Sequence, residues 1–326
     1  MNRLPLILLL SVIAALSVVI ALSFGSISAS PTAVWASLMG NGDPVLRDVL
    51  IQLRWPRAMA AFGTGAALAV AGVMMQVLLR NPLADPYILG TSGGAAVAAL
   101  GAMTLGLTGL AVDSVAFAGA LLSTLLVFTL ANTGIDRSPG KLLLTGVVIA
   151  AGWGAAVSLM LSLATDTSLR GMLFWLMGDF SFSTQYGNTL IVTTIAVVAG
   201  IVLAPTLNLL ATGDQQATLL GVNVKPIRNL LYFLSSLLTA LAVTTAGTVG
   251  FVGLVIPHLV RLAGDADHRT VVPCSALAGG SLLVISDTVA RTIIAPLQLP
   301  VGAITAMVGV PLFLVLLRRM GTQQTQ

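Results

Sequence analysis

Side chains able to do chemistry are sparse in this sequence and lie far apart. The two histidines, His258 and His268, are ten residues apart, and neither has a Cys or Glu neighbour. That is not a zinc ligand set. His258 follows Pro257 in an apolar run, and His268 sits in Gly264-Asp265-Ala266-Asp267-His268-Arg269. Hydrolysis inside a membrane would have to be built on one of them, and no nucleophile motif accompanies either. Gly140-Lys141 has the ending of a phosphate-binding loop. However, Leu142 follows the lysine, and Ile135 stands where the first glycine belongs. If ATP drives this protein, another chain binds it. The single cysteine, Cys274, cannot form an internal disulfide and reads as packing. Transport coupled to protons or sodium needs ionisable groups within the bilayer. Only Asp287 lies clearly inside an apolar run, with Arg291 at i+4 on the same helical face, where the two can pair. A chain of acids that could relay protons is missing, which counts against ion coupling.

The elements that would position these residues follow from composition. Of 326 residues, 57% are apolar and 8% charged, against about 25% charged in a soluble domain. Lipid is the solvent in which an apolar exterior is stable. All eleven acids are Asp, and the lack of Glu implies few solvated helix faces. The net charge of +4 comes with no basic run interleaved with aromatics, so nucleic acid is not a partner. The sequence therefore reads as an all-α polytopic membrane protein forming one domain over residues 1–326.

A crossing needs ~20 mostly apolar residues. Ten candidate spans result: Leu4–Leu22, Ala58–Leu79, Ile88–Leu110, Val115–Leu130, Leu142–Leu163, Leu190–Leu210, Leu230–Val249, Phe251–Leu262, Val271–Ala290 and Leu299–Leu317. The first also has the form of a secretory leader, with Arg3, an apolar core and Ser28-Ala29-Ser30. Nine further spans favour an uncleaved helix. With both termini inside, ten cations fall on the cytoplasmic side and five outside: Arg47, Arg54, Arg57, Arg170 and Arg291. This ratio obeys the positive-inside rule. Phe251–Leu262 is short and contains Gly253 and Pro257. Broken helices are tolerated in a bilayer where protein or a cavity surrounds them. Ala71-Gly72 with Pro82, and Ala246-Gly247 with Pro257, recur at a shift of 175 residues. Two halves of opposite topology would produce such a repeat, at about 57–165 and 228–320. Glycine is abundant, as in Gly90 and Gly94, and points to close helix packing. Between two spans, residues 211–224 form a mildly amphipathic segment. Asp214 stands where a short helix would start and Gly221 where it would stop. Such a surface helix suits docking on a soluble partner. These features leave three readings open: an ATP-driven transporter, an ion-driven transporter with inverted repeats, and a membrane enzyme.

Several motifs narrow the choice. They are Leu53-Arg54-Trp55-Pro56-Arg57, Gly65-Ala66-Ala67-Leu68-Ala69, and Gln76 through Asn81-Pro82-Leu83-Ala84-Asp85-Pro86 to Leu89-Gly90-Thr91-Ser92-Gly93-Gly94-Ala95. In the second half come Gly250-Phe251-Val252-Gly253-Leu254-Val255-Ile256-Pro257-His258, then Arg261 and Asp267-His268-Arg269. Together they span nearly the whole chain. The sequence resembles the permease subunits of bacterial ABC importers for iron–siderophore complexes, haem and vitamin B12.

The resemblance implies a type II importer permease of about ten helices in the bacterial inner membrane. It implies a homodimer with the pathway on its two-fold axis, two cytoplasmic ATPase subunits that bind ATP and Mg, and a periplasmic substrate-binding protein. No cofactor is implied in this chain. Gly213, Asp214, Gln215, Ala217, Leu220, Gly221 and Val222 match the coupling helix that enters the ATPase. Arg54, Arg57 and Arg291 match positions that receive acidic residues of the binding protein. Asn81 and Leu83, with Ser138, Pro139 and Gly140, match the inner gate. In that second gate segment the vitamin B12 member carries several hydroxyls, whereas here Ser138 is the only one. The substrate therefore stays open between ferric siderophore, haem and cobalamin. Arg170 matches a position near the outer mouth, where it would meet an anionic chelate or cap a helix.

Overall fold

The computed structural model describes residues 3–25, 29–131, 139–181, 186–264 and 266–323. Helix accounts for nearly all of them, and no strand occurs among the described residues. In chain order, α1 is Arg3–Ser23, α2 Pro31–Leu38, α3 Pro44–Val49, α4 Trp55–Leu79, α5 Thr91–Thr104, α6 Leu110–Ala131, α7 Pro139–Leu163 and α8 Asp166–Met177. The second half holds α9 Tyr186–Val202, α10 Ala204–Thr212, α11 Asp214–Leu219, α12 Val224–Ala246, α13 Val252–Ala263, α14 His268–Thr292 and α15 Val301–Gln323.

Each of the ten expected spans is helical, but their lengths differ from the sequence reading. Among the described residues six helices are long and apolar enough to cross a membrane: α1, the stretch Pro44–Leu79, α6, α7, α12 and α14. The run Leu190–Leu210 is not one rod. It bends by 68° between α9 and α10, and counts as a seventh span only if the bent pair is one crossing. Pro205 opens α10 and lacks the donor that would continue α9. Ile88–Leu110 becomes a 3-10 turn over Pro86–Leu89 followed by α5, whose 14 residues reach only about 21 Å. The short α13 starts at Phe251, which is left-handed (φ 70°), and keeps Pro257 inside. Hydropathy counts apolar residues and is blind to such breaks, so the ten runs overstate the number of full-length rods.

Three helices went unread in the sequence: α2, α3 and α8. The first two start on local chemistry. The Ser30 side chain accepts from Ala33 N at 3.2 Å, that of Asp43 accepts from Val45 N at 3.0 Å, and a proline follows each cap. A π-helical turn over Leu50–Arg54 joins α3 to α4. The Gly/Pro coincidences fall on unlike positions. Gly72 is inside α4, whereas Gly247 caps α12; Pro82 lies in a turn after α4, whereas Pro257 is inside α13.

The core is built around α4, nearly every residue of which is buried from Ala58 onward. It lies against α14, α12, α9 and α13. Backbone meets backbone at two glycine pairs. A Cβ on Gly65 would fall 2.2 Å from Gly279 O, and one on Gly72 would fall 1.9 Å from Gly253 O. Small residues allow such approach, and in lipid packing replaces the hydrophobic effect as the force between helices. Overpacking of this kind costs about 1–3 kcal/mol or more. Gly72→Leu is therefore expected to lower the thermal unfolding midpoint in detergent by several degrees. Gly152→Ala, at a position with nothing within 4 Å, should leave it unchanged. Equal midpoints would mean that the α4–α13 contact is not a tight one.

Candidate functional site

Polar side chains gather at the two ends of α4, which its 25 residues hold about 37 Å apart. At the N-terminal end Arg57 grips Asp287 of α14 bidentately. Its Nε donates to Oδ2 at 2.9 Å and its Nη2 to Oδ1 at 2.8 Å. Its Nη1 reaches Gln298 Oε1 at 3.1 Å and Ser181 Oγ at 3.5 Å, on the exposed edge. Arg291 is farther from the same carboxylate, with Nε 3.9 Å from Oδ2. Its Nη2 donates to Ala21 O, while Arg54 Nη1 donates to Leu22 O at 2.6 Å. Ala21 and Leu22 belong to the last turn of α1, whose carbonyls have no partner within the helix. Two guanidinium groups thus satisfy the C-terminus of α1, where the helix dipole favours cations.

All three arginines are therefore drawn inward. Arg54 is 5% exposed, and the side chains of Arg57 and Arg291 are 15% and 11% exposed. The i+4 pair legible in the sequence is the weaker one. The strong partner of Asp287 is 230 residues away. Arg170 stands in the second turn of α8, away from its cap, with its guanidinium 5.9 Å from the Phe174 ring centroid. This is cation–π range.

At the C-terminal end α4 closes on Arg80, which is left-handed (φ 50°). The next residue, Asn81, organises a tight turn. Its Oδ1 accepts from Leu83 N at 2.9 Å, and its N donates to Gln76 O at 3.1 Å. The Gln76 side chain donates to Gly253 O and Leu254 O of α13 at 3.4 and 3.3 Å, and Arg261 donates to Gln76 Oε1. Beyond the turn, Tyr87 Oη donates to Val249 O at 3.2 Å and accepts from Val249 N at 3.1 Å. One phenol thus satisfies both backbone groups of a residue in the non-helical stretch before α13. The start of α7 adjoins this region, because Leu142 and Leu143 pack on the cluster that holds Leu78, Leu79 and Ala84. Pro139 and Gly140 open α7, and Gly140 is exposed. Ser138 lies outside the described residues.

The segment 211–224 folds as an elbow. Gly213 (φ 130°) separates α10 from α11, and Gly221 (φ 86°) ends the turn after it. Ala217 is fully buried and pins α11 to the body. Gln215 is exposed, as is Leu220 at 65%; Val222 is half-buried and packs on the main core. Leu219, inside the amphipathic segment but not among the residues matched to the coupling helix, is 87% exposed. Asp214 Oδ2 pairs with Arg228 at 2.9 Å and lies 3.9 Å from Arg80. Behind the elbow, Asn208 of α10 donates to Asp267 Oδ1 at 3.0 Å. Its own Oδ1 accepts from His268 N at 3.0 Å and lies 2.6 Å from His268 Nδ1. His268 is thus a buried structural group. Sequence reasoning missed Asn208 and Tyr87, and gave Gln76 a place in a motif but no role. A signal common to all three is a polar atom inside an apolar run, which in lipid must find a partner. Among the described residues no group of three or more His, Cys, Asp or Glu could hold a metal ion.

Comparison with known proteins gives a consistent picture. The FecCD transport family matches residues 12–319. The hemin transport system permease protein HmuU of Yersinia pestis is 38% identical over 330 residues, covering 98% of this chain and 97% of that protein. The cobalamin import system permease protein BtuC of Halobacterium salinarum is 39% identical over 291 residues, covering 88% and 78%. A solved metal-chelate type ABC transporter in an inward-facing conformation superposes with a TM-score of 0.84 at 31% identity, over 97% of this chain and 99% of that one. PsaBC from Streptococcus pneumoniae shares the fold at a TM-score of 0.58 and 15% identity, over 83% and 94%.

Removing one member of a buried ion pair leaves an uncompensated charge and costs about 3–5 kcal/mol. Asp287 faces two guanidinium groups and Arg57 is only one of them, so Asp287→Ala should destabilise more than Arg57→Ala. The double variant Arg57→Met, Asp287→Leu should be milder than Asp287→Ala alone. Thermal unfolding in detergent checks the order, and a double-mutant cycle of Arg57→Met, Asp287→Leu and their combination measures the coupling. Additive effects would mean that the pair contributes no coupling.

Proposed function

The chain belongs to the FecCD transport family, and from that premise we propose how this permease works and what it carries. It is the permease subunit of an ABC importer, a transport subunit whose ATPase is a separate chain. The substrate in this reading is a bulky metal chelate. Hemin and cobalamin, named for two relatives, are the leading candidates together with ferric siderophores. Two copies of the chain form the pathway on a two-fold axis in the inner membrane, with both termini cytoplasmic. Two ATPase subunits bind ATP and Mg, and a periplasmic binding protein delivers the substrate and supplies the selectivity.

One observation carries the proposal for the ATPase contact. The elbow over residues 211–224 presents Leu219 and Leu220 to the outside while Ala217 holds it from within. A small apolar tip on a firmly seated helix suits insertion into a cleft on a soluble partner, where a few buried side chains dominate the binding energy. The gate segment assigned to Asn81 and Leu83 then lies one short step away, because α4 ends beside Asp214; Ser138, Pro139 and Gly140 are assigned to the same gate.

The opposite end is proposed to receive the binding protein. Arg57 and Arg291 face the carboxylate of Asp287, and Arg54 joins Arg291 at the last carbonyls of α1. Positive charge at this end attracts acidic residues on a partner and speeds its approach. Arg57 is the member best placed for contact, since its Nη1 lies at the exposed Ser181–Gln298 edge. Arg54 and Arg291 act from beneath, through their charge. Arg170 on α8 is assigned to the same mouth.

The test is purification of the tagged chain from its native membrane in mild detergent. Vanadate-sensitive ATPase activity and a co-purifying nucleotide-binding chain are expected. The variant Leu219→Asp with Leu220→Asp should lose at least about tenfold in co-purifying ATPase, with the unfolding midpoint of the permease unchanged. Full retention of the partner would remove the elbow from the interface. A chain that emerges alone and moves solute in ion-loaded liposomes would favour an ion-driven transporter instead.

A further inference from the structure

We infer that Arg80 and Asp214 form an ionic latch that hands movement of the α10–α11 elbow to the Asn81–Leu83 turn, which makes Arg80 a positioning residue for transport. The inference rests on the reading of the elbow as the ATPase contact.

The first ground is backbone. Arg80 ends α4 at φ 50° and ψ 39°. This left-handed position is normally filled by glycine, which has no Cβ to clash there. A bulky residue in strained backbone is over-determined by its surroundings. Backbone bonds from Arg80 N to Val77 O and from Asn81 N to Gln76 O hold the turn, and the arginine side chain reaches across to α11. Its Nη2 lies 3.9 Å from Asp214 Oδ2, and its Nη1 lies 4.0 Å from the point a Cβ on Gly213 would occupy. The guanidinium thus rests on the hinge between α10 and α11.

The second ground is how α11 is held. Positive-φ glycines stand at Gly213 and Gly221, so the helix is joined at both sides by residues with wide backbone freedom. Its fixed points are the buried Ala217 and the Asp214 carboxylate. Asp214 faces one cation from the start of α12, Arg228 at 2.9 Å, and one from the end of α4, Arg80. Arg80 is followed at once by Asn81, whose side chain receives Leu83 N and whose N–H binds Gln76 O. Displacing Arg80 therefore displaces the turn.

The third ground is energetic. Arg80 and Asp214 are 39% and 32% exposed as side chains, and an exposed pair adds little to folding stability. Its loss leaves the protein folded, so an effect on movement can be read apart from an effect on the fold.

The experiment uses the whole complex of permease, ATPase subunits and binding protein in liposomes. Spin labels sit at Leu83→Cys in a Cys274→Ala background. The label–label distance is measured with and without ATP plus vanadate, so no transported substrate is needed. Arg80→Gln should cut the population that changes distance by roughly threefold or more, with subunit stoichiometry and ATP hydrolysis kept. Arg80→Lys, which keeps the charge, should recover most of the change, and Asp214→Asn should lose it as well. The latch is overturned by an unchanged distance response in Arg80→Gln, by Arg80→Lys behaving like Arg80→Gln, by loss of assembly in Arg80→Gln, or by an unmodified complex that shows no change. Failure of the elbow reading is separate. It would appear as retention of the ATPase subunits by the Leu219→Asp, Leu220→Asp variant.

Discussion

The direct backbone approach of α4 to its neighbours is the constraint on which the rest of this structure depends. At Gly65–Gly279 and Gly72–Gly253 no side chain separates the helices. Dispersion between atoms in contact falls off steeply with distance. Lipid tails are as apolar as the side chains they would replace, so close contact is what holds such helices together. These two contacts fix α4 against α14 and α13 along its length. They also fix what hangs from its ends: Arg54 and Arg57 at one, Gln76, Arg80 and Asn81 at the other.

A second rule governs the polar groups. Charge and backbone in an apolar medium must be satisfied within the protein. Arg57 and Asp287 satisfy each other, and Arg54 and Arg291 satisfy carbonyls at the end of α1. Both arrangements tie α1, α4 and α14 into one unit. Gln76 and Tyr87 do the same for the backbone around α13, where helix is interrupted. The irregular segments are therefore well supported. They lie beside the tight turn after α4.

The two polar ends differ in character. The Arg57 end is buried and tightly paired. The Asp214 end is more open, bounded by glycines and held by looser pairs.

Composition and local pattern settle the solvent and the class. With 8% charged residues against 57% apolar, only lipid-facing helices satisfy the chain, because composition alone decides whether a surface can be wetted. They also settle the elbow, since Asp214 and Gly221 are local start and stop signals, and the family, since its motifs are contiguous in the chain. Tertiary structure alone decided the rest. It made Asp287 a partner of Arg57, 230 residues distant, ahead of Arg291 at i+4. It broke Leu190–Leu210 by 68° and left α5 and α13 short. It put the two Gly/Pro coincidences on unlike positions. It turned Arg54 and Arg291 inward to close the end of α1. The physical reason is common to all of these. Local signals report what a residue prefers next to its chain neighbours, whereas a charge or a bare carbonyl in lipid is settled by whichever complementary group packing brings nearest.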